Sequence, residues 1–316
     1  MPATENEALA GLRVLVAVAK SDGRVDPEER KSLEEAFSRV PTTGGTNLDR
    51  LLDEPVDLDA ELARIVDPAA RESVYNAAFT IAHADGHSSA EEHRVLDHVR
   101  ERLRIPKDRA TLLGRVIGEA KDTVLPSHID PVHDPLLRAT EIREDTLKYS
   151  ILTGVLGAFP VPGVSIATDL AVIGLQTKLV RDIGQYWGHK VDAPAARSIL
   201  YGLGLGTGAR IAVTQVAKLV PGFGSAFGAA ASFGSTWALG RVADQYFSSG
   251  GRAEISTLRD AFRSSEKEGR QEFEARRRVV EERRRTHGPT LDRLNADLKA
   301  GAISQAEYER QVAELA

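Results

Sequence analysis

The sequence predicts an all-α protein built from several helical segments. Apolar residues recur at helical spacing through the first 122 residues, and no stretch shows the sustained alternation that marks a strand. Residues typical of helix starts precede these apolar runs. Glycine is concentrated in the segment from Tyr149 to Gly251, which contains 17 of the 27 glycines. We therefore expect a conventional helical bundle first, followed by helices that pack through small residues.

Each helix of the first segment has its own signal. The first keeps its apolar period at Leu9, Leu12, Val16 and Ala19. Asp26-Pro27 and Asp67-Pro68 each place a capping side chain before a proline suited to the first helical position, and Ser89 caps in the same way. The helix after Asp67 carries Val74, Ala77, Ala78 and Ile81, and the last helix carries Leu112, Leu113, Val116 and Ile117.

Length, cysteine content and charge limit the classes of protein to which this chain can belong. A chain of 316 residues is long enough for two or three domains. It has no cysteine, which excludes disulfides and thiolate metal sites and favours a reducing compartment. The opening MPATENEALA has no signal-peptide pattern. Through Leu147 there are 19 Lys and Arg against 29 Asp and Glu, and the remainder has 22 against 17. This balance argues against an overall nucleic-acid surface.

One acidic phrase is written twice, as AKSDGRVDPEER from Ala19 and AHADGHSSAEEH from Ala82. The copies align Asp22 with Asp85 and Glu29 with Glu92. One interpretation is structural: Asp-Gly ends a helix, and the acidic residues then favour the start of the next one. The other is a divalent cation, calcium or similar, held between the two copies by all four carboxylates, since neither loop alone has enough oxygen ligands.

Histidines beside the second copy suggest zinc less strongly. His83, His87 and His93 flank it, but the first copy has cations at the matching positions, namely Lys20, Arg24 and Arg30. Exchange of histidine with lysine or arginine is typical of a solvated surface, so we disfavour zinc.

The doubled phrase in an all-helical segment resembles the TerB domain of tellurite-resistance proteins over about residues 5–122. We assign residues 1–122 to such a domain. The resemblance implies that Asp22, Glu29, Asp85 and Glu92 are the acidic positions of the family. It also implies metal binding and a role in stress responses near membranes.

A proline-rich linker is expected at residues 123–147, and an apolar segment at 148–251. Asp169 is the only charge between Tyr149 and Thr177, and none occurs between Leu219 and Gly240. These lengths are compatible with membrane spans. The prolines, the acid and the small-residue composition count against such spans, and a packed soluble bundle is the alternative. Both alternatives stay open.

The apolar segment also repeats a unit, since PVPGVSIA from Pro160 returns as LVPGFGSAFG from Leu219. The expected helix breaks are Pro160, Pro162, Gly163, Pro221 and Gly222. The units resemble the YcjF-like domain of bacterial inner-membrane proteins, which implies membrane association or a GTPase partner. GLGLGTG from Gly202 lacks the Lys-Ser/Thr of a phosphate loop and indicates close helix packing.

The C-terminal part predicts a long charged helix at 252–288 and a short hairpin at 289–316. Residues 252–285 hold 11 basic and 8 acidic side chains, and Gly288-Pro289 is expected to break the helix. The end resembles a SHOCT module, whose turn falls on Gly301, Ile303, Ser304, Glu307 and Tyr308. Such modules imply docking or oligomerisation.

These observations predict a non-enzymatic bacterial protein of stress response or scaffolding, on the cytoplasmic face of the inner membrane. The head has no certain cofactor, and a divalent cation, calcium or similar, is its one candidate. The expected partners are membrane lipid or a membrane protein, a second copy and a GTPase, without nucleic acid. The alternatives are a soluble cytoplasmic oligomeric adaptor and a regulator of a GTPase acting in trans. No catalytic constellation is recognisable.

Overall fold

The computed structural model describes residues 5–21, 30, 48–83, 90–158, 165–205, 211–212, 215–216 and 225–316. Within these ranges every regular element is an α-helix, which confirms the all-α prediction. The chain forms two compact units. Unit 1 comprises Met1–Arg115, Val161–Ile166 and Gly206–Gly224, and unit 2 comprises Val116–Pro160, Ala167–Leu205 and Ser225–Ala316.

Among its described residues, unit 1 contains five helices and most of a sixth. They are α1 (Glu5–Ala19), α2 (Leu48–Asp53), α3 (Leu58–Ala63), α4 (Pro68–Ala82), α5 (Ala90–Arg102) and α6 (Lys107–Asp122), which runs on into unit 2. The apolar residues predicted for α4 are all buried. Asp67 caps α4 as expected, because its carboxylate accepts from the Ala70 amide at 2.9 Å and Pro68 takes the first helical position.

The buried side chain of Glu7 links α1 to the residues that precede α4. Glu7 is only 3% exposed, and its carboxylate accepts hydrogen bonds from the amides of Val66 and Asp67 at 2.9 and 2.8 Å. Nearby, Arg13 of α1 donates to Glu61 of α3 at 2.9 Å. The first unit is therefore held by polar contacts between helices as well as by its apolar core.

Unit 2 begins with the end of α6 and an extended stretch. Its further helices are α7 (Pro135–Gly157), α8 (Ser165–Tyr186), α9 (Ala193–Gly202), α10 (Ser225–Ser248), α11 (Ile255–Ala300) and α12 (Gln305–Ala313). Asp134 caps α7 by accepting from the amides of Leu136 and Leu137, both at 2.8 Å. The predicted linker is thus already helical from Pro135, and residue 148 lies inside α7.

Glycines set the packing of α7 against α10. A methyl group on Gly157 would overlap the Gly228 carbonyl oxygen, and one on Gly228 would overlap that of Gly157. The backbones of the two helices therefore touch, which only glycine allows. Helix α10 also packs on α11, where Phe233 meets Phe273 edge to face with ring centroids 5.7 Å apart. The prediction of packing through small residues holds at this crossing.

A polar chain also crosses the core of unit 2. The Thr153 hydroxyl donates to the Thr236 hydroxyl at 2.9 Å, and the Gln176 amide donates to the same oxygen at 3.0 Å. All three side chains are buried. Their hydrogen bonds join α7, α8 and α10.

Among the described helices, none is both long and apolar enough to cross a membrane.

The long charged helix, α11, differs from the prediction at Gly288-Pro289. Helix α11 runs without interruption from Ile255 to Ala300 and includes Pro289. The helix ends instead at Gly301, where φ is 74°, and the Ala302 amide donates to the Asp297 carbonyl at 2.8 Å. This is a Schellman ending, which needs a left-handed residue. Ser304 then caps α12 through the Glu307 amide at 3.1 Å.

Candidate functional site

Most of the residues predicted as sites lie outside the described residues. This holds for Asp22, Glu29 and Asp85 of the acidic phrase, and for the helix breaks Pro160, Pro162, Gly163, Pro221 and Gly222. Glu92 is described, and it lies half-buried in the first turn of α5. In the part of the chain that the structure covers, no three His, Asp or Glu side chains converge in a way that could hold a metal ion.

Two of the histidines beside the phrase, His83 and His93, contact each other at the end of α4. The His83 ring stacks on Phe79 with centroids 4.1 Å apart, and its Nδ1 lies 2.9 Å from the Phe79 carbonyl oxygen. His93 meets His83 edge to face at 6.0 Å. His87 falls outside the described residues. The stacking gives His83 a structural role at the end of its helix.

The most developed polar site of unit 2 is centred on Asp182, which is 1% exposed. Its carboxylate accepts from the Ser127 hydroxyl at 2.6 Å, from the Tyr149 hydroxyl at 3.1 Å, and from Lys178 Nζ at 2.9 and 3.0 Å. Gln185 extends the set by donating to the Ser127 hydroxyl at 2.9 Å. We call these five residues the Asp182 cluster.

The cluster brings three chain segments together. Lys178, Asp182 and Gln185 occupy one face of α8 at helical spacing, Tyr149 comes from α7, and Ser127 comes from the stretch before α7. Gln185 also accepts from the Ile129 amide at 2.6 Å, so the same side chain binds this stretch at two points. The cluster therefore fixes residues 127–129 against α8.

Burial dominates the electrostatics around the cluster. It raises the pKa of the Tyr149 hydroxyl far above its ordinary value, and the negative charges of Asp182 and Asp145 add to this. Burial likewise raises the pKa of Asp145, although the Tyr186 hydroxyl donates to this carboxylate at 3.0 Å and opposes the shift. Both tyrosines remain protonated donors at neutral pH, and burial also raises the pKa of Tyr186.

A second contact fixes the end of α6. Arg197 of α9 donates to the carbonyl oxygens of Lys121, Ala120 and Thr123, the last at 2.6 Å. These carbonyls lie at the C-terminus of a helix, where they have no partner within the helix and attract positive charge. The contact holds the last turn of α6 against α9 within unit 2.

Helix α12 lies in a seat formed by other helices of unit 2. Gln305 donates from its backbone to a Glu119 carboxylate oxygen at 2.6 Å and from its side chain to the Ala167 carbonyl at 3.2 Å. Tyr308 is fully buried, with its hydroxyl 3.4 Å from that of Thr168. The C-terminal hairpin thus has a docking surface on its own chain. We call Glu119, Ala167, Thr168 and Gly174 the hairpin seat.

Glu309 is the unexpected residue of this contact. Its side chain is 2% exposed and accepts from the Gln305 amide at 2.9 Å. Its second oxygen lies so close to Gly174 that a Cβ there would come within 2.5 Å of it. Burial raises the pKa of Glu309 to about 7, while the Gln305 hydrogen bond and the charge of Arg197 oppose the rise.

Exposed apolar side chains mark one edge of unit 2. Leu136 is 82% exposed and Leu137 51% exposed, both in the first turn of α7. The next residue, Arg138, stacks its guanidinium over the Trp187 ring, 3.7 Å from the centroid. Trp187 in turn donates to Asp244 at 2.8 Å. We call Leu136, Leu137, Arg138 and Trp187 the leucine edge.

Comparison with known proteins identifies the family of the first segment. Residues 1–116 match the family described as "Protein of unknown function (DUF533)". The chain is also 32% identical over 122 residues to "Uncharacterized protein sll0481" of Synechocystis sp. (strain ATCC 27184 / PCC 6803 / Kazusa), covering 36% of this chain and 78% of that protein. The chain belongs to the DUF533 family. This family is TerB-like, which confirms the resemblance predicted from the doubled acidic phrase.

The DUF533 match ends at residue 116, next to the boundary of unit 1 at Arg115. The Asp182 cluster, the hairpin seat and the leucine edge all lie beyond the DUF533 residues. No solved structure matches the chain. The YcjF-like and SHOCT-like resemblances remain predictions.

Sequence reasoning on this DUF533 protein missed all three sites of unit 2. A signal for the Asp182 cluster was present: Lys178 and Asp182 are four residues apart in a helix that is otherwise rich in apolar residues. Glu309 gives no such signal, because it is one acid among several in a polar helix. Only the packing of α12 distinguishes it from Glu307 and Glu314.

Proposed function

We propose that this protein is a non-enzymatic bacterial scaffold that associates with the cytoplasmic face of the inner membrane through the leucine edge of unit 2. In this proposal the DUF533 head and the helices of unit 2 are docking modules, and the membrane contact is peripheral. The observation that carries it is the pair of exposed leucines, Leu136 and Leu137, beside an arginine stacked on a tryptophan.

The chemistry of this edge suits the boundary between lipid and water. Two leucines can enter the outer part of the acyl layer, where burial of apolar surface is favourable at about 25 cal/mol per Å². Tryptophan and arginine prefer the headgroup level, the arginine through the charge of anionic lipids. The Asp182 cluster supports a non-enzymatic role, because the Asp182 carboxylate accepts its hydrogen bonds from Ser127, Tyr149 and Lys178 of the same fold.

Flotation of the full chain with vesicles of phosphatidylethanolamine and phosphatidylglycerol tests the proposal. We expect the protein to float with these vesicles, and the double variant Leu136→Ser/Leu137→Ser to remain in the dense fraction. Val66→Ser is the matched control, because Val66 is also exposed, at 63%, but belongs to unit 1. Equal flotation of the double variant and the parent chain contradicts the proposal, as does a parent chain that does not float.

A second candidate function is sensing of a divalent cation by the DUF533 head. The observation that favours it is the doubled phrase, with Asp22 and Glu29 in one copy and Asp85 and Glu92 in the other at the same spacing of seven residues. A cation bound between the copies would offset the repulsion of four carboxylates. A GTPase partner, a stress-response role and self-association remain predictions on the resemblances alone.

Thermal melting of the full chain distinguishes this candidate from plain helix capping. Calcium, magnesium, manganese and zinc are each added at millimolar concentration. A bound cation stabilises the folded state by mass action and so raises the melting temperature. At a cation concentration of 100 Kd, the free energy of unfolding increases by about 2.7 kcal/mol. Asp22→Asn/Asp85→Asn should abolish the rise, and Asp53→Asn, an exposed acid of α2, should leave it intact. A melting curve that none of the four ions moves excludes the cation.

A further inference from the structure

We propose that the C-terminal hairpin is a proton-linked latch: α12 stays in the hairpin seat while Glu309 is a neutral acid, and ionisation of Glu309 releases α12. The proposal is independent of membrane binding and of any metal. It concerns a movement within unit 2 that uncovers Ala167, Thr168 and Gly174 of α8.

The geometry of the seat favours a neutral side chain. Glu309 is 2% exposed, and one of its oxygens accepts from Gln305, a neutral donor on the same helix. The other oxygen lies against Gly174, where an added Cβ would come within 2.5 Å of it. In the described part of the chain, no lysine or arginine forms an ion pair with Glu309. A carboxylate in such a place loses its water without gaining an ionic partner.

The charged groups around Glu309 come from three helices. Arg197 of α9 favours the ionised form, but it acts from a distance and its guanidinium donates to carbonyl oxygens at the end of α6. Glu119 of α6 accepts from the Gln305 amide, and Asp169 of α8 acts on Tyr308. Neither of these two acids can supply a positive partner for Glu309. The pKa of Glu309, raised to about 7, follows from its burial first.

The hairpin also carries buried polar atoms that have no hydrogen-bond partner among the described residues. Asn295 of α11 is 4% exposed, and neither polar atom of its side chain has a hydrogen-bond partner among the described residues. The side-chain oxygen of Gln305 is likewise buried without one. Each such atom makes docking less favourable. A single ionisation can then shift the balance between the docked and the released hairpin.

The direction with pH follows from linkage. The docked form holds a proton on Glu309 up to a pH of about 7, whereas the released form loses it near the ordinary value of 4.5. Between these limits the docked form binds more protons, so docking weakens as pH rises. The equilibrium constant for opening is expected to increase about tenfold for each unit of pH between 5 and 7 and to level off above.

Amide hydrogen exchange of the full chain tests the latch. Protection factors, which are already corrected for the intrinsic effect of pH, are measured for the amides of residues 307–312 at pH 5, 6, 7 and 8. In the parent chain we expect them to fall about tenfold per unit between pH 5 and 7. In Glu309→Gln, whose side chain stays neutral, they should not change with pH. Glu314→Gln, an exposed acid at the end of α12, should behave like the parent.

A further variant keeps the test decisive if Glu309→Gln does not dock. Gly174→Ala places a methyl group against the second oxygen of Glu309, and it should leave the same amides poorly protected at every pH. Protection in the parent chain that is independent of pH overturns the proposal. So does a fall of the same size in Glu309→Gln, because the titrating group would then be another one.

Discussion

Asp182 shows how one buried side chain organises its neighbourhood. It is buried in unit 2, at 1% exposure, and its carboxylate accepts hydrogen bonds from Ser127, Tyr149 and Lys178. A buried ion pair gains little over well-packed apolar side chains, but breaking one by removing a single partner is costly. Each donor to Asp182 comes from a different turn or segment. Its carboxylate therefore determines which stretches of chain come together.

Replacement of Asp182 by asparagine should be strongly destabilising. The change leaves the Lys178 ammonium, 18% exposed, without its carboxylate, which costs about 3–5 kcal/mol in the free energy of unfolding. Urea unfolding followed by tryptophan fluorescence measures this, because both tryptophans of the chain, Trp187 and Trp237, belong to unit 2.

The matched control for this change is Asp260→Asn. Asp260 pairs with Arg263 at 3.7 Å in a well-exposed contact, where an ion pair contributes at most about 1 kcal/mol. If the two variants unfold at the same urea concentration, Asp182 does not organise unit 2 in the way described.

At the scale of the helix, small residues set the distance between α7 and α10. Gly157 and Gly228 bring the two backbones into direct contact, and Gly240 lies against Thr146 in the same pair of helices. Glycine lowers the intrinsic stability of a helix by about 0.5–1 kcal/mol relative to alanine. Here the close approach and the packing that surrounds it offset that cost.

Gly157→Ala should therefore destabilise the protein although alanine is the better helix former. The methyl group forces α7 and α10 apart, at a cost of about 1–3 kcal/mol for an overpacked contact. Gly118→Ala is the control, since a Cβ at Gly118 of α6 meets nothing within 4 Å, and it should stabilise by up to about 1 kcal/mol. Opposite signs in urea unfolding are the expected result, and equal signs would refute the close-contact explanation.

At the scale of the whole molecule, α12 completes the packing of unit 2. At pH 5, where Glu309 is neutral and α12 is docked, deletion of residues 305–316 removes the buried Tyr308 and Val312 and should lower the free energy of unfolding by about 3 kcal/mol or more. Deletion of residues 314–316 alone, which are exposed or half-exposed, should change it little. Urea unfolding with tryptophan fluorescence measures both. Equal stability of the two truncated chains would contradict a docked α12.

Local sequence signals predicted the helices well where the signal and the packing agree. Asp67-Pro68 starts α4, and Gly301 and Ser304 form the turn between α11 and α12, because caps and left-handed glycines depend on only a few neighbouring residues. Gly288-Pro289 was wrongly predicted as a break. Val280 before it and Leu291 after it are both buried, so tertiary contacts outweigh the poor helix propensity of the pair.

The sites of unit 2 could not be predicted in the same way. Asp182 and Ser127 are 55 residues apart, and Gln305 and Ala167 are 138 apart. Contacts of this kind depend on the complete fold, and a single sequence gives no signal of which polar residue will meet which. The acidic phrase was recognisable because it occurs twice, and this repetition was enough to indicate the TerB-like family of residues 1–116.

The sequence separation of the hairpin seat has a consequence for protein synthesis. Ala167 is made 138 residues before Gln305, which is a delay of about 7–28 s at a ribosomal rate of 5–20 residues per second. During that interval α8 emerges with its Gly174 face uncovered. Residues 305–316 supply the helix that closes it, and a nascent chain released before residue 305 leaves the ribosome with this face open to chaperones and proteases.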